Sequence, residues 1–308
     1  MALYKPIERK EPKSGKVYLR NGVTVAFFLP LPMDKVAISV LTTFEEYLKI
    51  IPENALRWGA VGANAGEWRR IKSTTFAQCR AQLKPEAVRA RPLTAFELTD
   101  GEVGGSAPSY GITIIGHPFE PKFPHKRALV QLYFPIAVTE DAVVDDFVET
   151  VCRLAALLPY VSGYASPGLH CAGLDSRKQA RAIARRYPGY DVQDNAVGRR
   201  TINFKVRGAR WLTFLGPDIS SKLGGLQTLQ LIFKPPIQIL QIGDGVLIRA
   251  GKQPELGDVS RGIGTPLLRA VAKVIEPVTA FREGALFRTD FVGQDEEILR
   301  KWERRFLD

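Results

Sequence analysis

The side chains best suited to chemistry are few and poorly grouped. Three histidines occur, His117, His125 and His170. His170 and Cys171 are adjacent, yet no C-x-x-C, H-x-H or H-E-x-x-H accompanies them. Zinc needs three or four N, S or O ligands converging at about 2 Å, so packed histidines beside a thiol explain the pattern better. Ser166 lies between Gly163 and Gly168. A strained serine elbow needs glycine two positions away on both sides, so a hydrolase around Ser166 and His170 is a weak reading. Gly243-Asp244-Gly245 runs into Val-Leu-Ile, and no G-x-x-x-x-G-K-[ST] is present. Glu-x-Lys occurs at Glu8 to Lys10, Glu11 to Lys13 and Glu120 to Lys122. A magnesium nuclease would place that pattern on a central strand. Two of these copies lie in the polar start of the chain, and two contain a proline, Pro12 or Pro121, that an interior strand does not accommodate. The expectation is a protein without catalytic residues, metal or cofactor.

Positive charge is the stronger signal. Lys and Arg number 43 against 32 Asp and Glu, a formal net charge of +11. Much of the excess falls between Arg177 and Arg210, where Arg177, Lys178, Arg181, Arg185, Arg186, Arg199, Arg200, Lys205, Arg207 and Arg210 face only Asp191 and Asp194, a net +8. Such a balance favours nucleic acid, an anionic membrane surface or an acidic protein. On a predicted helix from Arg177 to Tyr187, Ala180, Ile183 and Ala184 form an apolar stripe, while Arg177, Arg181 and Arg185 step along another side. This arrangement suits either a solvated face or an interface. RNP, GXXG and C2H2 patterns are absent, and only Tyr187 and Tyr190 are nearby aromatics. Arginine grips carboxylates bidentately, so an acidic protein face is an equally physical partner. The candidate partner-binding set is Arg177, Lys178, Arg181 and Arg185, joined by Arg199 and Arg200 if the following turn folds back beside the helix.

The elements that must position these residues follow from patterning. Residues 1–16 are polar and read as a frayed arm, leaving 17–308 as the folded domain. Lys16 to Leu29 reads as strand, stopped by Pro30 and Pro32. Thr43-Phe-Glu-Glu46 fits a capping box opening a helix that Pro52 ends. Strands are expected near Leu93 to Leu98, Gly111 to Ile115 and Ala128 to Phe134. Thr139 is expected to cap the clearest helix, with Val144, Phe147, Val151, Leu154 and Leu158 on its apolar face. Tyr160 to Gly168 reads as a short strand into a loop, and Ser176 as the cap of the basic helix, which Pro188-Gly189 ends. Gly243-Asp244-Gly245 between apolar runs signals a hairpin. Thr265-Pro266 starts a helix to about Ile275, and another spans about Asp295 to Phe306.

The chain has 308 residues, 45% hydrophobic and 24% charged, which suits a folded globular protein rather than a fibrous or disordered one. Cys79, Cys152 and Cys171 are too few for a disulfide framework and suggest reduced thiols. No secretory leader or bilayer-spanning run is visible, so a cytoplasmic location with no membrane partner is expected. Without repeats or a low-complexity linker, the expected fold class is α+β. It should be one large domain with a mostly antiparallel sheet and packed helices, in which strand order could define two lobes.

Several motifs, in order, carry a resemblance. They are Arg186-Tyr-Pro-Gly-Tyr-Asp191, Ile202 through Arg210-Trp211-Leu-Thr-Phe-Leu215, Leu223-Gly-Gly225, and Ile248-Arg-Ala-Gly251-Lys-Gln-Pro254-Glu-Leu-Gly-Asp258. The Trp58 region, Leu157-Leu-Pro-Tyr160 with Gly163-Tyr-Ala165, and Trp302-x-x-Arg-Phe306 extend it. The chain resembles the TsiV type VI secretion immunity family, whose members are paired with VRR-Nuc nuclease effectors. The resemblance implies a bacterial cytoplasmic inhibitor that binds a cognate toxin, a nuclease, and occludes its active site or substrate cleft, with neither catalysis nor cofactor. An inhibitor imitating DNA would be acidic. This basic chain would instead meet an acidic face of the toxin, including metal-binding carboxylates, or oppose a toxic effector that is not a nuclease. The alternative is a nucleic-acid-binding accessory protein.

Overall fold

The Val- and Phe-rich run near the N-terminus becomes the spine of the molecule. A computed structural model describes residues 6–30, 32–62, 67–118, 127–192, 195–200, 202–283 and 296–308. The chain begins with β1 (Glu8–Lys10), β2 (Val17–Leu29), α1 (Met33–Ile50), β3 (Trp58–Val61), β4 (Arg69–Arg70), α2 (Ser73–Gln82) and α3 (Pro85–Arg89). Then come β5 (Thr94–Thr99), β6 (Gly111–Gly116), β7 (Ala128–Pro135), α4 (Val144–Ala156), β8 (Ser162–Cys171), α5 (Leu174–Arg186) and α6 (Asn195–Gly198). The last part holds β9 (Leu212–Leu215), α7 (Pro217–Lys222), α8 (Gly225–Ile232), β10 (Ile237–Ile242), β11 (Gly245–Ala250), α9 (Pro266–Ile275) and α10 (Glu296–Glu303). The strands form one open sheet in the order β10-β11-β9-β8-β2-β7-β6-β5-β3-β4, with β1 added on β2. Every strand pairing is antiparallel. The protein is a single mixed α+β domain, as its patterning implied.

Alternation along β2 divides the sheet into two faces. Val23, Val25, Phe27 and Leu29 enter a core with the buried sides of α1 and α4, whereas Ala26 and Phe28 join Leu129, Tyr164 and Ile202 behind the sheet. Side chains at alternate positions leave a strand on opposite faces, so one strand serves both layers. The α4 stripe of Phe147, Val151 and Leu154 is buried as expected, each side chain contributing about 1.5–3 kcal/mol. Phe147 stacks on Trp211 at 6.2 Å and meets Phe134 edge-on at 5.1 Å. A second core lies where α7, α8 and α9 cover β9–β11, joining Ile219, Leu229, Leu268, Val271, Ile248 and Phe306. The hairpin expected around Gly243-Asp244-Gly245 pairs Ile237 with Ala250 and Ile242 with Gly245.

Four local expectations are corrected. The arm at 1–16 is not frayed throughout: Glu8 pairs with Arg20 in the sheet and its carboxylate meets Arg20 Nη2 at 2.9 Å. Thr43 does not begin a helix, because apolar periodicity already runs from Val36 to Tyr47 inside α1. Its hydroxyl instead donates to Ser39 O at 2.9 Å. Thr139 closes a 3-10 turn, donating to Ile136 O, and α4 starts at Val144 with Asp145 and Asp146 at its positive end. β8 does not stop at Gly168 but reaches Cys171. Its neighbour β9 ends at Leu212 opposite Ala165, so the missing N–H of Pro167 leaves no ladder bond unmade there.

Candidate functional site

The basic helix α5 is built much as its stripe implied. It starts at Leu174, slightly before the expected cap, and Ser176 Oγ donates to Gly173 O at 2.7 Å while accepting from Gly173 N. Ala180 and Ala184 are buried against Leu19 and Leu169. This packing sorts the cations. Lys178, Arg185 and Arg186 are exposed, Arg177 is half-buried, and Arg181 is buried with its pKa lowered, first by burial and then by Arg177. Gly189 ends the helix under tight constraint. A Cβ there would lie 2.0 Å from Glu255 O and 2.6 Å from Leu256 Cα, so only glycine lets the two segments touch.

Arg199 and Arg200 do not fold back beside α5. Arg199 O accepts from Arg127 N, next to Ala128, which pairs with Leu29 at the far end of β2. α5 follows Cys171, which pairs with Leu19. Ten residues of β2 separate these ends, roughly 33 Å. Arg200 is exposed there, but Arg199 is 2% exposed. Its guanidinium donates to Arg127 O at 3.1 Å and to His117 Nε2 at 2.9 Å, and burial brings its pKa down to about 10. His117 Nδ1 contacts Pro92 O at 2.9 Å, which makes Nδ1 the protonated nitrogen and Nε2 the acceptor.

The other end of the basic segment is also internal. Arg207 and Arg210 are buried together with Arg305, Asp191 and Glu303. Arg210 Nε donates to Asp191 Oδ2 at 2.7 Å, and Arg305 Nη2 reaches Asp191 Oδ1 at 3.4 Å. Arg207 and Glu303 are 4.0 Å apart. Burial lowers the Arg207 pKa and raises that of Glu303, so desolvation outweighs attraction across this wider gap. Arg305 is brought down to about 9, chiefly by burial.

Motifs distant in sequence meet in this cluster. Arg305 Nε donates to Pro188 O at 2.9 Å and its guanidinium lies 4.0 Å from the Trp302 ring centre. Trp211 Nε1 donates to Gly251 O at 3.2 Å, Gly189 N donates to Leu256 O, and Arg186 pairs bidentately with Asp258 at 3.1–3.2 Å. Hydrogen bonds from Arg186 and then Ser260 hold the Asp258 carboxyl down at about 2. The ordered motifs thus hold the fold.

A polar cavity of about 330 Å³ lies behind the sheet, with Arg177 and Trp68 among its lining residues. Register places Glu97 beside Thr113 and Thr113 beside Gln131 in its wall. Asn195 Nδ2 donates to Gln131 Oε1 at 2.7 Å and Tyr164 Oη at 2.6 Å. His170 closes one side, with Nδ1 2.8 Å from Pro108 O and Nε2 3.1 Å from Thr24 Oγ1. Burial brings its pKa down to about 4. The base that a serine hydrolase would need is therefore bonded to Thr24, not Ser166. The cysteines are free thiols pushed up to about 12 for Cys79 and about 11 for Cys152 and Cys171, each by burial. Among the described residues no group of His, Cys, Asp and Glu could hold a metal ion. His125 and the Glu120 to Lys122 pattern lie outside the described residues.

Sequence reasoning missed that Arg207 and Arg210 are core residues. The Arg-Trp and Arg-Phe motifs were the available signal, since each places a cation beside a large apolar side chain. The family model for TsiV, type VI immunity for VRR-NUC, matches residues 39–306. The Pseudomonas aeruginosa T6SS protein PA0821 has a similar fold at 18% identity and TM-score 0.77, covering 97% of this chain and 87% of that one. No curated protein matches the chain.

Proposed function

This chain belongs to the TsiV family, type VI immunity for VRR-NUC, and from that premise we propose that it binds a cognate nuclease effector and neutralises it by covering the active site or substrate cleft. The family match along most of the chain carries this reading. The solvent-facing cations support a choice of contact surface: Lys178 and Arg185 on α5, with half-buried Arg177 beside them and Arg200 at the distant end of β2. Arg181 and Arg199, being buried, would act by holding that surface rather than by touching the partner. Cations suit an acidic face that includes a nuclease's metal-binding carboxylates, where bidentate arginine contacts are strong. A nanomolar inhibitor needs about −12 kcal/mol, within reach of an interface of roughly 1,600 Å² with a few well-packed anchors.

An inhibitor of a nuclease would act in the cytoplasm, where its toxin meets DNA. No helix among the described residues is long and apolar enough to cross a membrane. Co-expression with the VRR-NUC effector of the same locus should restore growth, and the purified chain should abolish DNA cleavage at equimolar ratio. Ser166→Ala should rescue equally well, since inhibition requires no nucleophile. Full toxicity with both proteins well expressed would defeat the proposal. Tight binding of random duplex DNA without affinity for the effector would favour a nucleic-acid-binding protein instead.

A further inference from the structure

Next to α5 lies a concave surface lined by apolar and cationic side chains. It encloses about 500 Å³, and its floor includes Val259, Ile263, Ile298 and Trp302. Arg185, Arg269 and Lys301 line it as cations, the Arg305 side chain lies largely beneath them on Asp191, and among the described residues no Asp or Glu lines it. Val259 is 64% exposed and Ile263 49%, although both belong to a tightly tied loop. Asp258 and Ile263 exchange two backbone hydrogen bonds at 2.8 and 3.0 Å, and Asp258 Oδ1 accepts from both Ser260 N and Ser260 Oγ. Arg186 fastens the same aspartate to α5. Two branched apolar side chains are thus held in water by a loop with little freedom left to lose. Such preorganisation lowers the ordering cost of binding.

We infer that this hollow is the anchor site for the effector, and that it receives an apolar side chain flanked by carboxylates on the effector's surface. The inference rests on the inhibitor function proposed above and adds where and by what chemistry the partner is held. Charge complementarity selects the occupant: three lining cations, with no carboxylate among the described lining residues, favour an acidic segment over a neutral or basic one. The apolar floor calls for a Leu-, Met- or Phe-like side chain, because interface energy concentrates in a few desolvated pockets surrounded by a water-excluding rim. Lys301 already meets Glu297 at 2.7 Å, and Arg269 donates to Asp308 O. Arg185 joins the hollow to the outer face of α5, so one continuous basic surface would steer the effector and then hold it.

Calorimetry and stopped-flow binding with the purified VRR-NUC effector of the same locus test this directly, using the full chain. Val259→Glu combined with Ile263→Glu should weaken binding about a hundredfold or more. The milder Val259→Ser with Ile263→Ser pair, expected to cost about tenfold, reports if the glutamates disturb the loop. Arg185→Glu with Lys301→Glu should slow association and flatten its salt dependence. Leu231→Glu, at a 73% exposed position on α8, should change nothing. Wild-type affinity in both loop pairs, or an equal loss from Leu231→Glu, would overturn this site while leaving the inhibitor function standing. Failure of the wild-type chain to bind the effector would remove both.

Discussion

The cations of α5 and those of the Arg207–Arg210 stretch belong to one basic run, yet the fold puts them to opposite uses. Lys178 and Arg185 stand in solvent on a helix whose alanines face the core. Arg207 and Arg210 lie beneath the surface, and their counter-charges, Asp191 and Glu303, come from before and far after them in the chain. Local net charge therefore overstates the surface charge of this segment. An arginine becomes structural when a carboxylate from elsewhere meets it in a dry place, and removing either partner then strands a buried ion.

Asp191→Ala should break this comparison most forcefully. It leaves Arg210 and Arg305 buried without the carboxylate that each contacts, and should cost about 3–5 kcal/mol in urea-induced unfolding. A loss below about 1 kcal/mol would mean that the cluster is solvated rather than internal.

His170 extends the test to a buried base. Its folded pKa is about 4, against about 6.5 when unfolded. Between these values the unfolded chain takes up the proton and the folded chain does not. Stability should be fully present above about pH 6.5 and fall by up to about 3 kcal/mol as the pH drops towards 4. In His170→Gln that part of the slope should vanish, read from unfolding free energies across the same pH range. An unchanged slope would place the titration elsewhere.

The smallest stability effect belongs to the exposed cations. Lys178→Glu with Arg185→Glu should alter unfolding free energy by no more than about 0.5 kcal/mol, as expected of surface substitutions. The same variant should associate with the effector more slowly at low salt, and the difference should shrink as added salt shortens the ~10 Å screening length. Identical association rates at every salt concentration would return these residues to a merely solvated face.

Much of the architecture was legible in the residues themselves. The alternation of β2, the three- and four-residue steps of α4 and the Asp-Gly turn of the last hairpin are local patterns, and each produced its element. Helix starts were less legible. Thr43 and Thr139 have the chemistry of caps, but a threonine hydroxyl inside or just before a helix can equally bond a carbonyl three or four residues back. The candidate site was legible only in part. The spacing of Arg177, Arg181 and Arg185 placed them on one helix, but not that Arg181 would be buried or that Arg199 would sit roughly 33 Å of strand away.

The sequence by itself determined the fold class, the family and the presence of a basic amphipathic helix, because periodicity and motif order are properties of neighbours along the chain. Tertiary structure alone decided which cations face water. Burial depends on what packs over a side chain, and for Arg207, Arg210 and Arg305 the covering and neutralising groups are separated from one another by up to 114 residues. It also decided where the hollow lies, by bringing the 258–263 loop, α10 and the end of α5 together around one apolar floor. No spacing rule within any of these segments contains that meeting, since each buries apolar surface only once the others are in place.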